Sequence, residues 1–504
     1  MKNIKKICCG LFTVCLLAFC LNGLTDLMER KGSDFKYDPF FSEEGNFDVL
    51  FFGTSHVING IFPMELWKDY GITSYNFGGH ANAIPTSYWV MENALDHTDP
   101  KVVVLDCLGL GSETKTSTGF DYVHLSLDAF PFTVTKCRGV WDLLQDKKMQ
   151  EFAAEGSVQY AKQRTKMSLL WDFSIYHSRW NELSASDFNG SKSREKGAES
   201  RIAVSAPGEI PHVAPGKVYE GESVSVSYVR RLIESCKSRG IEVLLTYLPF
   251  PAGEGAQLEA RRILELAKEY DVQGINFLEM DIVDYNTDCY DPGSHLNPSG
   301  ARKVTDYLGK YLTKTYDLPD RRKEDAYQSW QEDYEDYERF KDENLRNQSA
   351  LDVYLMLLAD KNYDCLIEVR NPILFQNPYY MRLLNNLGIQ KSRVGKQTDC
   401  FVVQGGGSRV ECLTRFSKEK GVCKFSLGRI WNIPRENGGR GVYLNGEALY
   451  EVAPEHADGD DVHITVFDGS SGEKVDQVGF SVQGKKDVEM DLEEDSVTVT
   501  ATFR

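Results

Sequence analysis

The sequence has few basic residues and no closely paired cysteines, and these shortages exclude several classes of protein. Lysine and arginine number 57 against 75 acidic residues, so the formal charge is −18. Such a surface repels phosphate backbones, which argues against a nucleic-acid partner. None of the twelve cysteines forms a CxxC pair, so we predict no zinc site, and we expect no other metal and no cofactor. The cysteine pattern leaves open one disulfide in the C-terminal third.

Composition places the chain among folded proteins. Hydrophobic residues make up 41% and charged residues 26% of the sequence. This mixture supports a sizeable buried core and argues against a wholly disordered, collagenous or polytopic membrane protein. A length of 504 residues predicts more than one domain.

The N-terminus holds a long apolar run, Ile7–Leu24, behind Lys2, Lys5 and Lys6. A run of this length, with a single polar amide, nearly spans a bilayer core of about 30 Å. Basic residues before such a run hold that end in the cytoplasm. We therefore predict a signal anchor over residues 1–30 that crosses the cell membrane once, with the bulk of the chain on the extracytoplasmic side. A cleaved signal peptide is the alternative, although no small-x-small cleavage site follows the run.

Apolar runs of strand length alternate with helical stretches between residues 48 and 314. Runs such as Asp48–Gly53 and Lys101–Cys107 lack strict alternation, as do parallel strands that are covered on both faces. The predicted fold class is therefore α/β, a parallel sheet with helices on both faces, over residues 31–316. An insertion, roughly 108–218, interrupts the pattern. The sequence leaves open whether it is a lid, a docking surface or additional structure that only packs against the domain.

The composition and periodicity of the sequence change after residue 316. Residues 317–349 are highly charged, with aromatic side chains at steps of three and four, which predicts an amphipathic helix acting as a rigid connector. Residues 350–504 contain short alternating strands separated by turns rich in Gly, Asn and Asp, with a helix near Tyr379–Leu387. We therefore predict a second, β-rich domain there.

Two separated motifs supply the residues of a nucleophilic site. Ser55 follows the first strand in FFGTSH, where a parallel sheet has its binding crevice. A serine hydroxyl needs a base, and His295, in DPGSHLNPSGA, precedes the last helix of the α/β pattern. Asp291 can hold the other nitrogen of that histidine, and Asp288 is the alternative acid. We expect Ser55 and His295 to converge at one edge of the sheet.

These motifs resemble the first and last blocks of the SGNH/GDSL hydrolase superfamily. YNFGG resembles its second block, so the resemblance implies a flavodoxin-like sheet and an oxyanion hole formed by the amides of Ser55 and Gly78. Two features depart from the family pattern. The acid lies four residues before the histidine rather than three, and the GxND block is missing after the third strand. Asn82 is our candidate for the absent donor.

Within the superfamily, the chain is most similar to the membrane-anchored DltD-like and alginate-acetylation-like branch. That likeness implies a cell-surface glycan as substrate and a membrane-bound O-acyltransferase as partner. Residues of the β-rich region, WNIPRENGGRGVYLNG and Asp460–Gly479, resemble the ILEI/PANDER-like β-sandwich module. This second likeness implies glycan recognition rather than catalysis.

The expected function is that of an extracytoplasmic serine acyl-esterase or O-acyltransferase, working through an acyl-enzyme at Ser55. The two activities share this intermediate, and the sequence does not separate them. The alternative is a non-catalytic SGNH-like surface protein that binds glycan or protein through its C-terminal module.

Overall fold

The computed structural model describes residues 2–28, 37–43, 45–116, 120–146, 169, 173–184, 187–188, 194–293, 295–360, 362–369, 374, 377–395, 398–416, 419–425, 428–452, 460–482 and 499–503. The chain divides into two compact units. The N-terminal unit comprises Met1–Glu199, Glu209–Ile282 and Val304–Tyr334. The C-terminal unit comprises Ser200–Gly208, Val283–Lys303 and Glu335–Arg504.

Helices and strands alternate along the N-terminal unit. The helices are α1 (Lys2–Met28), α2 (Asp38–Ser42), α3 (Ser55–Gly60), α4 (Pro63–Tyr70), α5 (Ile84–Ala94), α6 (Phe120–Leu127), α7 (Val134–Leu143), α8 (Phe173–Tyr176), α9 (Val224–Ser238), α10 (Glu254–Glu269), α11 (Pro298–Thr315) and α12 (Gln328–Arg346). The strands are β1 (Val49–Gly53), β2 (Ser74–Gly78), β3 (Val102–Asp106), β4 (Glu242–Tyr247) and β5 (Gln273–Asn276). Helices α11 and α12 each have residues in both units.

The five strands form one parallel sheet in the order β2-β1-β3-β4-β5, which confirms the predicted α/β class. This is the flavodoxin-like order, in which the direction of winding reverses after β2. Right-handed crossovers therefore place helices on both faces of the sheet. The carboxyl ends of β1 and β3 border the point of reversal, where open sheets of this kind bind ligands.

Local signals in the sequence explain why β1 and α4 lie where they do. Strand β1 is buried along its whole length, and Phe52 stacks on Phe77 of β2 with ring centroids 5.3 Å apart. Helix α4 begins at Pro63, whose missing N–H is not needed in a first turn. It ends before Gly71, whose φ of 66° is left-handed and forms a common helix cap.

Helix α1 contains a candidate membrane span, Ile4–Thr25, and it is the one helix of the described residues long and apolar enough for that role. Its 22 residues correspond to about 33 Å at 1.5 Å per residue, close to the thickness of a bilayer core. A signal sequence would have the same length and composition.

The predicted insertion, 108–218, is described only in part. Its described residues include α6, α7 and α8, and α6 and α7 both pack on α5. Trp171 and the first half of the polar stretch Asn189–Ser200 lie outside the described residues. The three functions considered for this insertion stay predictions.

The C-terminal unit is mainly antiparallel. It adds two helices, α13 (Leu351–Leu358) and α14 (Pro378–Asn386). Its strands are β6 (Tyr363–Val369), β7 (Thr398–Gln404), β8 (Arg409–Thr414), β9 (Gly421–Phe425), β10 (Gly428–Pro434), β11 (Arg440–Leu444), β12 (Glu447–Val452), β13 (Val462–Asp468), β14 (Lys474–Val482) and β15 (Val499–Phe503). They form a six-stranded sheet, β15-β14-β13-β6-β7-β8, and a four-stranded sheet, β12-β11-β10-β9.

Alternating side chains of the six-stranded sheet serve two separate cores. Ile367 and Phe401 belong to a core shared with α13 and α14. Leu366 and Val402, their neighbours in sequence, belong to a second core with residues of the four-stranded sheet such as Ile430. Because successive side chains of a strand point to opposite faces, the larger sheet is covered by helices on one face and by the smaller sheet on the other.

The charged stretch predicted as one connecting helix is helical only in its second half. Two short 3-10 turns precede α12, which begins at Gln328. Trp330 is fully buried within the N-terminal unit, against Phe47 and Trp67. The start of α12 is thus part of a packed core, while the predicted domain boundaries stay a prediction. All twelve cysteines are described and carry free thiols.

Candidate active site

Ser55 occupies the first helical position after strand β1. Gly53 ends the strand with φ 152°, and a Cβ there would lie 2.6 Å from Val57 and 2.9 Å from Asp106. A glycine is therefore required for this turn. Thr54 caps α3, since its hydroxyl accepts a hydrogen bond from the amide of His56 at 3.2 Å. Ser55 is half-buried between buried neighbours, as expected for a hydroxyl at the edge of a crevice.

The glycine pair Gly78–Gly79 at the end of β2 packs closely against the Ser55 turn. A Cβ at Gly78 would lie 2.7 Å from the amide of Ile58 and 2.8 Å from the carbonyl of Thr54, so only glycine fits. The amide of Gly78 donates to Oδ1 of Asn76 at 3.0 Å, and the amide of Gly79 donates to the carbonyl of Gly53 at 3.0 Å. The predicted oxyanion role of the Gly78 amide stays a prediction, and it must compete with the bond to Asn76.

The amide side chain of Asn82 is buried beside Gly79 and offers a donor. A Cβ on Gly79 would meet Asn82, so this side chain depends on the glycine for its place. Ser126 of α6 donates to Oδ1 of Asn82 at 2.5 Å, and Nδ2 has no hydrogen-bond partner among the described residues. A buried amide group without a partner is costly unless a ligand uses it. This arrangement is compatible with the predicted role of Asn82.

A buried carboxyl group that the sequence did not single out also lies at this edge. Asp106 ends β3, is 1% exposed, and lies against Gly53. Its Oδ1 accepts from the amide of Leu248, at the end of β4, at 2.8 Å. Burial, opposed by backbone hydrogen bonds, raises the pKa of Asp106 from 3.8 to about 7. An acidic residue inside the run VVVLDC was the signal available in the sequence.

The acid–base pair of the predicted triad belongs to the C-terminal unit. Oδ2 of Asp291 lies 2.5 Å from Nδ1 of His295, the contact expected from the sequence. Oδ1 of Asp291 also accepts from the amides of Gly293 at 3.1 Å and His295 at 3.3 Å. The carboxylate thus closes a turn around Pro292 and Gly293, so a spacing of four residues still brings acid and imidazole together. The imidazole is about one-quarter exposed.

Backbone pairing fixes the two ends of this loop. Tyr290 donates to the carbonyl of His295 at 2.8 Å, and Asn297 donates to the carbonyl of Asp288 at 2.9 Å. Cys289 and Leu296 form the isolated β-bridge between these two bonds. Such a closed loop limits the movement of the imidazole relative to its carboxylate.

Asp288, the alternative acid, is engaged elsewhere. Its carboxylate accepts from Ser299 at 2.9 Å and from Lys303 at 2.6 Å, and it is fully buried. These bonds attach it to the start of α11. The described contacts therefore favour Asp291 as the partner of His295, and Asp288 supports the loop.

The loop is also bonded to the β-rich part of its own unit. Asn386, at the end of α14, donates from Nδ2 to the hydroxyl of Thr287 at 3.1 Å and accepts from Lys303 at 3.2 Å. Arg302 donates to the carbonyl of Ala359 at 2.5 Å. Residues far along the chain thus help to hold the Asp291–His295 loop.

Other histidines have structural surroundings. His56 is 7% exposed and makes an edge contact with Phe250 at 4.6 Å. His80 lies 3.6 Å from Glu199. Among the described residues, no group of three or more His, Cys, Asp or Glu side chains is arranged to hold a metal ion.

Comparisons with family models, curated proteins and solved structures found no match to this chain. The approach of Ser55 to His295 stays a prediction.

Proposed function

We propose that this chain is an extracytoplasmic serine acyl-esterase or O-acyltransferase of the SGNH type, acting on a cell-surface glycan. The observation that carries the proposal is the 2.5 Å contact between Asp291 and Nδ1 of His295 in a partly exposed loop. A carboxylate at Nδ1 selects the tautomer in which Nδ1 carries the proton and Nε2 carries the lone pair that acts as the base. That is the state in which a histidine activates a serine.

The reaction runs through an acyl-enzyme. Oγ of Ser55 attacks the acyl carbonyl while Nε2 of His295 takes the hydroxyl proton. The oxyanion accepts hydrogen bonds from the Ser55 amide and from Nδ2 of Asn82, and the proton passes to the oxygen of the leaving alcohol.

In the second half-reaction, His295 takes a proton from water or from a sugar hydroxyl as that oxygen attacks the acyl carbon. Ser55 then recovers its proton from His295 and leaves. Water gives hydrolysis of the ester, whereas a sugar hydroxyl gives transfer of the acyl group.

The rest of the proposal concerns where this chemistry takes place. In the proposal, α1 crosses the cell membrane once, with Lys5 and Lys6 on the cytoplasmic side and the two units outside. A membrane-bound O-acyltransferase supplies the acyl group, and the antiparallel sheets of the C-terminal unit bind the glycan. Its support is the length of α1 and the sequence likenesses described above.

The test is labelling by a fluorophosphonate, which reacts with activated serines. The full-length protein should be labelled, Ser55→Ala should abolish labelling, and His295→Gln should slow it at least about a thousandfold. Ser112→Ala is the matched control. Ser112 lies in the loop after β3, and its hydroxyl is bonded to Thr114. Labelling that survives Ser55→Ala contradicts the proposal.

A second candidate function is a non-catalytic surface protein that binds glycan or protein through its C-terminal module. One observation favours it: the Gly78 amide, expected to stabilise the oxyanion, is occupied by Asn76. The same experiment decides between the two, because a scaffold would not be labelled at Ser55. It would still bind polysaccharide, and Ser55→Ala would leave that binding unchanged.

A further inference from the structure

Helix α1 changes from exposed to buried close to its C-terminal end. Ile7, Phe12 and Phe19 are between 62% and 78% exposed, as a helix surrounded by lipid requires. Thr25 and Met28 are each only 9% exposed. The N-terminal unit therefore encloses the helix from about Thr25 onward. If α1 crosses a bilayer, as the proposed function requires, the surface of that bilayer lies near this level.

Helix α8 and the 3-10 turn His177–Asn181 pack on α1. Nη1 of Arg179 donates to the carbonyl of Met28 at 2.6 Å, which satisfies a group that the end of a helix leaves open. The Arg179 side chain is only 11% exposed, so this is a built contact rather than a loose surface one.

Three further bonds hold this segment in place. Nη2 of Arg179 pairs with Asp187 at 3.0 Å, and Asp187 accepts from the amide of Ser184 at 2.7 Å. On the other side, the hydroxyl of Tyr176 donates to Asp128 at 2.9 Å. We call Tyr176–Ser184, with Asp187 and Phe188, the collar. It is bonded both to the end of α1 and to the body of the N-terminal unit.

The collar exposes two large aromatic side chains directly beside this buried ion pair. Trp180, next to Arg179, is 69% exposed, and Phe188, next to Asp187, is 67% exposed. In water this exposure is unfavourable, but aromatic rings are favoured at the boundary between lipid headgroups and acyl chains. Their position on the segment that holds the end of α1 indicates lipid as the occupant.

We propose that Trp180 and Phe188 insert into the headgroup boundary of the membrane that α1 crosses, so that the collar sets the height of the N-terminal unit above the bilayer. This inference rests on the proposed membrane anchor, not on the proposed chemistry. The arginine of the collar is already paired, and Glu182 is exposed, so insertion depends on apolar burial rather than on attraction to anionic lipid.

The test uses the full-length protein in vesicles of phosphatidylcholine whose acyl chains carry bromine near the headgroup, a quencher of nearby tryptophan. The chain has seven tryptophans, so single variants are compared. Trp180→Phe should remove most of the lipid-quenched emission. Trp141→Phe is the matched control, because Trp141 is 68% exposed but lies on α7, which packs on α5. The quenched emission should also be the same in about 50 mM and about 500 mM salt, because apolar insertion is not screened by ions.

A gain-of-signal variant makes the result independent of any loss of folding. Phe188→Trp should add a second lipid-quenched tryptophan, roughly doubling the quenched emission. Quenching that persists in Trp180→Phe, that is lost equally in Trp141→Phe, or that disappears at high salt overturns the inference. So does a Phe188→Trp emission that bromine does not quench.

Failure of the inference is distinguishable from failure of the proposed function. Extraction at alkaline pH reports whether α1 is inserted, and fluorophosphonate labelling reports the chemistry at Ser55. If the protein resists extraction and is labelled but Trp180 is not quenched, only the inference that the collar inserts into lipid has failed. A protein that alkali removes from the vesicles lacks the anchor, and the inference fails with it.

Discussion

Replacing Asp291 by asparagine should abolish most catalysis while leaving the loop folded. The two oxygens of this carboxylate make different contacts. Oδ2 contacts Nδ1 of His295, whereas Oδ1 accepts hydrogen bonds from the amides of Gly293 and His295. Asparagine keeps an oxygen for the amides. It then presents an NH2 group to Nδ1, which forces the proton onto Nε2 and removes the base.

The size of the effect follows from this change of tautomer. The corresponding substitution in serine proteases, the standard case of such a triad, lowers kcat about 10⁴-fold. We therefore expect a loss of about 10³–10⁴ in the rate of acyl-enzyme formation, or about 4–5.5 kcal/mol. The free energy of unfolding should change by less than about 1 kcal/mol, since the turn keeps its backbone bonds. Stopped-flow labelling and urea unfolding measure the two quantities.

Asp288→Asn is the matched control, a second carboxylate of the same loop. It removes a charged partner of Lys303 at 2.6 Å, so we expect a loss of about 1–3 kcal/mol in stability. The labelling rate of the folded protein should stay within about threefold of wild type, because Asp288 faces α11 rather than the imidazole. If Asp291→Asn is labelled at nearly the wild-type rate while Asp288→Asn is slow, the acid has been assigned wrongly.

Three further predictions concern Asp106 and Asn82 in the N-terminal unit and Asn386 in the C-terminal unit. Folded Asp106 keeps its proton up to about pH 7 whereas the unfolded chain releases it near pH 4, so wild-type stability should fall as pH rises through this window, by at most about 4 kcal/mol. Asp106→Asn should therefore unfold at higher urea than wild type at pH 8 and at equal urea at pH 4; equal midpoints at both pH values would refute the raised pKa. Asn82→Ala should lower kcat about 10²–10³-fold with little change in KM, and a rise in KM alone would exclude an oxyanion role. Asn386→Ala should lower kcat severalfold although no described contact joins Asn386 to His295, because the substitution removes the bonds to Thr287 and Lys303. An unchanged rate would show that the loop needs no support from α14.

Much of the N-terminal unit follows from local sequence, because its signals are local. Continuous apolar runs predicted β1 and β3. In the C-terminal unit the same reasoning missed α13, Leu351–Leu358. Its residues are almost all apolar and almost all buried, so neither helical nor strand periodicity is visible.

The contacts of the candidate site were predictable from the sequence only where they are local. The turn that joins Asp291 to His295 is local, and both partners lie in one short motif. The contact of Asp106 with Leu248 joins residues 142 positions apart, and no pattern in either segment predicts it. Gly78 illustrates the same limit. The sequence indicates a glycine with a functional amide, whereas close packing against Thr54 and Ile58 already requires glycine there.

The contacts of the Asp291–His295 loop also change how a role of the C-terminal module in glycan binding must be tested. If the module recognises glycan and takes no part in catalysis, as the sequence likeness implies, its removal would be expected to spare the hydrolysis of small esters. Deleting residues 350–504 would remove Asn386 and Ala359, which are bonded to Thr287, Arg302 and Lys303 around the loop. Such a truncation should therefore lose activity on small and polymeric substrates together, whatever the module binds. A role in recruitment requires surface substitutions on the four-stranded sheet that lower turnover of polymer and leave small-ester hydrolysis intact.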